Sequence, residues 1–290
     1  MAEFAMLEGT LRARDGTRLF VRSTSLDQDA KAIVILTHGI GEHSARYLHV
    51  AEFLATQGYR FCAYDLRGHG RSDGRRGALR SYDDFLDDLE EVLAYFRQKN
   101  VPTFLYGVSL GGQIVINFVL KRQCDIAGMI ISSPWLRLAF KPSLIKTLLA
   151  RAALAVWPDF TQLKPANLLH LSHDIDFLNS MRDLDLVHHR VSARMYAQLT
   201  RAAVCAMAQA EECVTPLFLI HGDEDPITSH AGSREFFQRA KSPDKTFLLL
   251  PGHRHEVHNE TKRAEVLAQI AAWLTRGLPD SFAQASKTSR

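Results

Sequence analysis

A chain of 290 residues, 46% hydrophobic and 23% charged, has an ordinary globular composition and is long enough to bury a core without disulfides or metals. A net charge of +3 without long basic blocks implies no nucleic-acid partner, and the four scattered cysteines (Cys62, Cys124, Cys205, Cys213) form no CxxC pair, as expected of free thiols in a reducing compartment. Met1-Ala2-Glu3-Phe4 lacks the basic patch and apolar run of a secretory signal, and no apolar stretch reaches the ~18 residues of a membrane span, so a soluble, cytoplasmic protein is expected.

Residues 7–14 and 19–25 flank Asp15-Gly16 and predict a β-hairpin. The run Ala32-Ile33-Val34-Ile35-Leu36 has no polar alternation, which predicts a strand buried on both faces, and it ends in His38-Gly39-Ile40-Gly41. A helix about 47–57 and a strand at 59–64 follow. The helical wheel of 82–96 places Tyr82, Phe85, Leu86, Leu89, Leu93 and Phe96 on one face, and Asp83, Asp84, Asp87, Asp88, Glu90 and Glu91 are expected on a solvated face. A strand at 103–106, a helix at 113–121 and a strand at 126–132 continue the alternation. Beyond residue 213 come a strand at 217–221, a helix around 234–239, a strand at 246–250 and a helix about 263–274. This rhythm predicts a mostly parallel central sheet flanked by helices on both faces, with 1–133 and 214–290 as its core. Residues 134–213 break it: they are helix-rich, contain several prolines and show no convincing strand, and are expected to form a helical cap inserted at one end of the sheet. Residues 281–290 are small and polar and are expected to fray.

Gly107-Val108-Ser109-Leu110-Gly111 lies between a predicted strand and an apolar helix. A tight strand-to-helix turn strains its central residue and lifts the Ser109 hydroxyl above the sheet, while the flanking glycines admit close chain approach. A serine hydroxyl needs a base, and in such a sheet the order along the chain is nucleophile, acid, histidine. Asp223 and Asp225 both follow the 217–221 strand. Asp225, before Pro226 and farther into the loop, is the expected acid, with Asp223 supporting the turn. His253, His255 and His258 all follow the next strand. Their spacing could also ligate a metal, but no cluster of carboxylates or cysteines accompanies it, so no metal or cofactor is expected. Two backbone N–H groups should face the developing oxyanion: that of Leu110, after the nucleophile, and that of Ile40, after the first buried strand. His38, ending that strand beside glycine, is expected to be a structural hydrogen-bonding residue.

His38 to Tyr47 (HGIGEHSARY), Asp65 to Ser72 (DLRGHGRS), Gly107 to Gly112, Gly222 to Asp225 and Gly252 to His258 together resemble the monoacylglycerol lipase and lysophospholipase group of the α/β-hydrolase superfamily, over about residues 7–275. The resemblance implies the α/β-hydrolase fold with a helical cap over an acyl-binding tunnel, and it singles out His255 as the base. It also implies that Glu42, Arg46 and His258 contact the glycerol head group. Glu42 and Arg46 read equally as an i,i+4 ion pair starting a helix. The apolar stretch 143–157 fits either packing on the core or peripheral contact with a membrane surface. Val108 and Leu110 replace the histidine and methionine more usual beside the nucleophile of that group, and Asp185-Leu186-Val187 replaces Asp-Pro-Leu.

The expected activity is two-step hydrolysis of a lipid-like carboxylic ester, a monoacylglycerol first, through an acyl-enzyme on Ser109, with no obligatory protein partner. A lysophospholipase, a general carboxylesterase and a peptidase acting on a small amide are the enzymatic rivals. A catalytically silent binding protein on the same fold is the rival outside enzymes.

Overall fold

The computed structural model describes residues 5–25, 30–122, 124–141, 143, 153–163, 167–181 and 185–278. The predicted hairpin is β1 (Met6–Arg12) and β2 (Arg18–Thr24). Four strands follow: β3 (Ile33–Thr37), β4 (Arg60–Tyr64), β5 (Thr103–Val108) and β6 (Gly128–Ser132). Two three-residue strands, β7 (Thr161–Leu163) and β8 (Arg190–Ser192), pair antiparallel in a small separate sheet, and β9 (Leu217–Gly222) and β10 (Lys245–Leu250) complete the set. The strands β7 and β8 correct the expectation that 134–213 holds none. Three residues are too few to show a period of two, so the sequence carries no signal for them.

The main sheet has the order β1-β2-β4-β3-β5-β6-β9-β10. All its pairings from β4 to β10 are parallel, and only β2 runs against its neighbours. Strands β3, β5, β6 and β9 are buried along their whole length, which is why they read as unbroken apolar runs. Alternate side chains enter two cores on opposite faces. Ile33, Ile35, Leu105, Met129 and Leu219 pack on one face with α2 (Asp83–Phe96) and α3 (Leu110–Lys121). Val34, Leu36, Phe104, Tyr106 and Ile220 pack on the other, with α1 (Leu48–Thr56) and the C-terminal helix Arg263–Arg276.

Within 134–213 lie a short helix α4 (Ile175–Ser180) and a longer α5 (Ala193–Ala208). Met195, Leu199, Ala202 and Ala206 of α5 join the first core, and the Gln113 and Asn117 amides donate to the Leu199 and Ala202 carbonyls. The expected boundary at residue 213 therefore falls after a helix that is anchored on the core. Helices α6 (His230–Arg239) and α7 (Arg263–Arg276) follow. Residues 144–152 of the apolar stretch and the tail expected to fray lie outside the described residues.

One face of α2 differs from expectation. Asp84 and Asp88 are buried, and the Arg67 guanidinium lies 3.5 Å from Asp84 and 2.6 Å from Asp88. Wheel position alone assigned them to solvent because Arg67, in the loop after β4, is invisible to a local pattern.

The chain leaves β3 toward β4 on one side, and β5 lies on the other, so the sheet changes winding direction between β3 and β5. In open parallel sheets, ligands bind beyond the carboxyl ends of strands at such a point. Thr37 pairs with Gly107 in register, which sets residues 38–41 beside Ser109.

Candidate active site

Ser109 sits between β5 and α3 with φ +55° and ψ −113°, a left-handed conformation that costs a non-glycine residue about 1–3 kcal/mol. Its backbone is fixed on both sides: the Ser109 N–H donates to Ser132 O at 2.9 Å, and the Trp135 N–H donates to Ser109 O at 3.0 Å. A Cβ on Gly111 would stand 1.9 Å from the Thr37 carbonyl oxygen, so only glycine lets α3 start this close to β3.

His255 Nε2 lies 2.9 Å from Ser109 Oγ, and His255 Nδ1 lies 2.7 Å from Asp225 Oδ2. These three side chains, 146 and 30 residues apart in sequence, meet at the carboxyl ends of β5, β9 and β10 and are buried. Because a carboxylate only accepts, Nδ1 carries the imidazole proton and Nε2 faces the hydroxyl as acceptor. Asp225 is saturated. Oδ1 accepts the N–H groups of Ile227 and Thr228 at 2.8 and 3.1 Å, and Oδ2 also accepts from Thr228 Oγ1 at 2.7 Å and His221 Nε2 at 3.0 Å. Burial alone would raise the Asp225 pKa, but His255 and the hydrogen bonds from His221 and His255 hold it far below the usual carboxylate range. For His255, burial pulls downward and the Asp225 carboxylate outweighs it, so the imidazole titrates above its ordinary 6.5.

The neighbouring candidates part company. Asp223 accepts the Gly252 N–H at 2.7 Å and braces the turn that carries His253. His253 Nδ1 contacts the Pro251 carbonyl at 2.9 Å, and His258 stacks on Tyr47 with 4.8 Å between ring centroids. Among the described residues no group of three or more histidine, cysteine or carboxylate side chains is arranged to hold a metal.

The loop after β3 passes beside Ser109: a Cβ on Gly39 would be 3.2 Å from Ser109 Cβ and 2.5 Å from Glu42 Oε1. His38 is buried. Its Nε2 accepts the Leu66 N–H at 3.0 Å, so Nδ1 bears the proton and donates to Gly39 O at 2.7 Å. The N–H groups of Ile40 and Leu110 donate to no described residue.

Glu42, Arg46 and His258 are all buried. Glu42 Oε1 accepts the Gly39 N–H and the Tyr47 hydroxyl, and Glu42 Oε2 is 3.2 Å from Arg46 Nε, the anticipated i,i+4 pair. Arg46 Nη2 reaches Glu256 Oε2 at 2.6 Å, a partner 210 residues away that the sequence reading missed. The available sign was a carboxylate directly after His255 in an otherwise compact loop. Burial first, then Glu256, raises the Glu42 pKa, and Arg46 opposes them. Neither ring nitrogen of His258 has a partner among the described residues, and burial holds its pKa well below 6.5. His221 and Thr228 were also missed. His221 was visible only as a histidine ending a strand four residues before Asp225.

The segment 134–213 closes on both loops. The His188 N–H donates to Gly41 O at 2.9 Å, and the Glu256 N–H donates to Leu171 O at 2.7 Å. A separate cleft of about 310 Å³ between Arg67, Arg75, Arg80, Asp159 and Arg194 is lined by none of Ser109, Asp225 and His255.

A hydroxyl bonded to an imidazole whose far nitrogen is held by a carboxylate can lose its proton as it attacks a carbonyl. Known proteins agree with a hydrolase. The family model described as serine aminopeptidase, S33 matches residues 28–262. An uncharacterized abhydrolase domain-containing protein of Dictyostelium discoideum is 34% identical over 245 residues, 84% of this chain, which spans 26% of that protein's length. The human monoglyceride lipase is 30% identical over 271 residues, 90% of this chain and 88% of that protein. The solved monoacylglycerol lipase of Paleococcus ferrophilus is 28% identical with a TM-score of 0.78, covering 95% of this chain and 99% of that one. The chain belongs to the serine aminopeptidase S33 family and is a serine hydrolase of α/β-hydrolase fold with monoglyceride lipases among its relatives.

Proposed function

We propose that this hydrolase cleaves the carboxylic ester of a lipid-like substrate, a monoacylglycerol foremost, by two-step acyl transfer. Ser109 attacks the carbonyl while His255 Nε2 takes its proton, and Asp225 holds the imidazole in the required tautomer and stabilises the imidazolium. The oxyanion rests on the N–H groups of Ile40 and Leu110, at the end of β3 and the start of α3. His255 then protonates the departing alcohol, and the same imidazole activates water to release the fatty acid. The observation that carries the reading is the continuous contact from Asp225 through His255 to Ser109, at 2.7 and 2.9 Å.

The lipid-like substrate is supported by the relatives named monoglyceride or monoacylglycerol lipase and by the segment 134–213, read as a cap whose α5 is tethered to the core. Val156 and Trp157 of that segment are 87% and 62% exposed, which supports peripheral contact with a lipid surface. No helix among the described residues is long and apolar enough to cross a membrane. Of the expected head-group contacts, His258 keeps two unpartnered ring nitrogens, whereas Glu42 Oε1 and Arg46 Nη2 bond to protein groups and Glu42 Oε2 and Arg46 Nε face each other at 3.2 Å without a hydrogen bond.

A panel of monoacylglycerols, lysophospholipids, short nitrophenyl esters and aminoacyl nitroanilides, run beside fluorophosphonate labelling, tests the reading. Labelling at Ser109 with preference for monoacylglycerols is expected. Preference for lysophospholipids or short esters would move the assignment to those classes, and anilide cleavage would move it to a peptidase. A folded protein that takes no label would leave a binding role.

A further inference from the structure

The charged groups beside Ser109 form a continuous row. Glu256 directly follows His255, and its Oε2 accepts Arg46 Nη2 and Asn259 Nδ2, both at 2.6 Å. Arg46 Nε lies 3.2 Å from Glu42 Oε2, and Glu42 Oε1 accepts the N–H of Gly39, the residue before Ile40. Arg46 is 4% exposed, and the two carboxylates are almost as deeply buried. The row therefore runs inside the protein from the loop of the base to the loop of the oxyanion amide.

Burying such ions is costly, and an apolar set of equal volume would often be at least as stable. What the charges supply is direction, because N–H bonds to a carboxylate are shorter and stronger than neutral ones. Gly39 is clamped at both polar groups: Glu42 takes its N–H, and the His38 Nδ1–H takes its carbonyl. The Gly39 carbonyl and the Ile40 N–H belong to one planar trans peptide, so fixing the oxygen aims the N–H the opposite way. Glu42 alone could swing with its loop. Arg46 lies between it and Glu256, ion-paired to Glu42 at 3.2 Å and hydrogen-bonded to Glu256 at 2.6 Å, and Glu256 is tied to the chain that carries His255.

We propose that Glu256 and Arg46, acting through Glu42 on the Gly39 N–H, are positioning residues that, together with His38 on the Gly39 carbonyl, aim the Ile40 N–H at the tetrahedral intermediate on Ser109 and hold the oxyanion loop in register with the loop of His255. The proposal rests on the ester-hydrolase reading, so its test uses ratios of variant to wild type on a substrate without a glycerol head group.

Glu256→Gln, Glu256→Ala and Arg46→Lys are assayed on nitrophenyl butyrate and on a monoacylglycerol, with thermal unfolding to confirm the fold and with a boronic acid as tetrahedral mimic. Glu256→Gln keeps shape and an acceptor for Arg46. Arg46→Lys keeps the charge but loses the fork that spans two carboxylates. Glu256→Ala and Arg46→Lys are expected to lose about 10–100-fold in kcat on both substrates, with KM within about twofold. Boronate affinity should fall in parallel, and Glu256→Gln should recover most of the loss. If a variant fails to fold, the remaining folded ones decide, Glu256→Gln then needing a measurable kcat loss with unchanged KM. The proposal is overturned if folded Glu256→Ala and Arg46→Lys keep wild-type kcat. It is equally overturned if only the KM for the monoacylglycerol rises, which would make Arg46 a head-group contact. Wild type that takes no fluorophosphonate label and hydrolyses neither ester would instead count against the hydrolase reading itself.

Discussion

On the side of Ser109 that faces His255, support comes from hydrogen-bond donors packed around one carboxylate, five of them counting His255 itself. On the side of residues 39–41 it comes from three buried charges in a row, Glu42, Arg46 and Glu256. The first arrangement is redundant: if one donor is lost, four still fix the Asp225 plane. The second is serial, and each link passes orientation to the next. The difference follows from what each arm must hold. Asp225 orients the His255 side chain, which has its own rotamer preferences, whereas Glu42 holds the backbone N–H of Gly39, a residue with no side chain to steer it.

The most severe way to break the site is Ser109→Ala, which removes the group both arms serve. Ester turnover should fall on the order of 10⁶-fold with the protein still folded, measured on nitrophenyl butyrate. Asp225→Asn attacks the base arm at its one irreplaceable point. It keeps the shape but favours the wrong imidazole tautomer, and kcat should fall about 10⁴-fold. Gly39→Ala attacks the oxyanion arm, since its Cβ would meet Glu42 Oε1 at 2.5 Å and push the carboxylate off the amide. A loss of about 10²–10³-fold in kcat is expected, the magnitude of a lost oxyanion donor. Thr228→Val removes only one of the five donors and should cost less than about 10-fold, below the ~1.5–3 kcal/mol of a lone hydrogen bond to a charged group, because four donors still fix the carboxylate. A loss as large as that of Arg46→Lys would show that the base arm is not redundant.

The gentlest test is pH. His255 must be neutral to accept the Ser109 proton, and its pKa lies above 6.5 because the Asp225 carboxylate outweighs the effect of burial. As pH falls, protonation therefore disables the base sooner than a free imidazole would. The acid limb of kcat/KM should turn above pH 6.5 in wild type. In Asp225→Asn, which lacks that carboxylate, residual activity should persist to lower pH.

Much of this molecule was legible from local pattern. Ile33 to Leu36 and Phe104 to Tyr106 read as strands buried on both faces because parallel strands covered by helices tolerate no polar alternation. The serine turn was legible because Gly107 and Gly111 mark where chains approach too closely for a Cβ. The partners that complete the site were not. Glu256 bonds to Arg46 across 210 residues, and His221 reaches Asp225 only once β9 and its loop are folded. The same blindness placed Asp84 and Asp88 in solvent, although Arg67 draws both into the interior.

The amino-acid order by itself determined the alternation of strand and helix and the strained turn at Ser109, because both depend on steric and solvation rules acting over a few neighbouring residues. Tertiary structure alone decided that Glu42 and Arg46 turn inward rather than toward solvent, and that α5 docks on α3. Those outcomes depend on directed contacts between distant segments, whose energies exist only when packing excludes water and brings charge to charge.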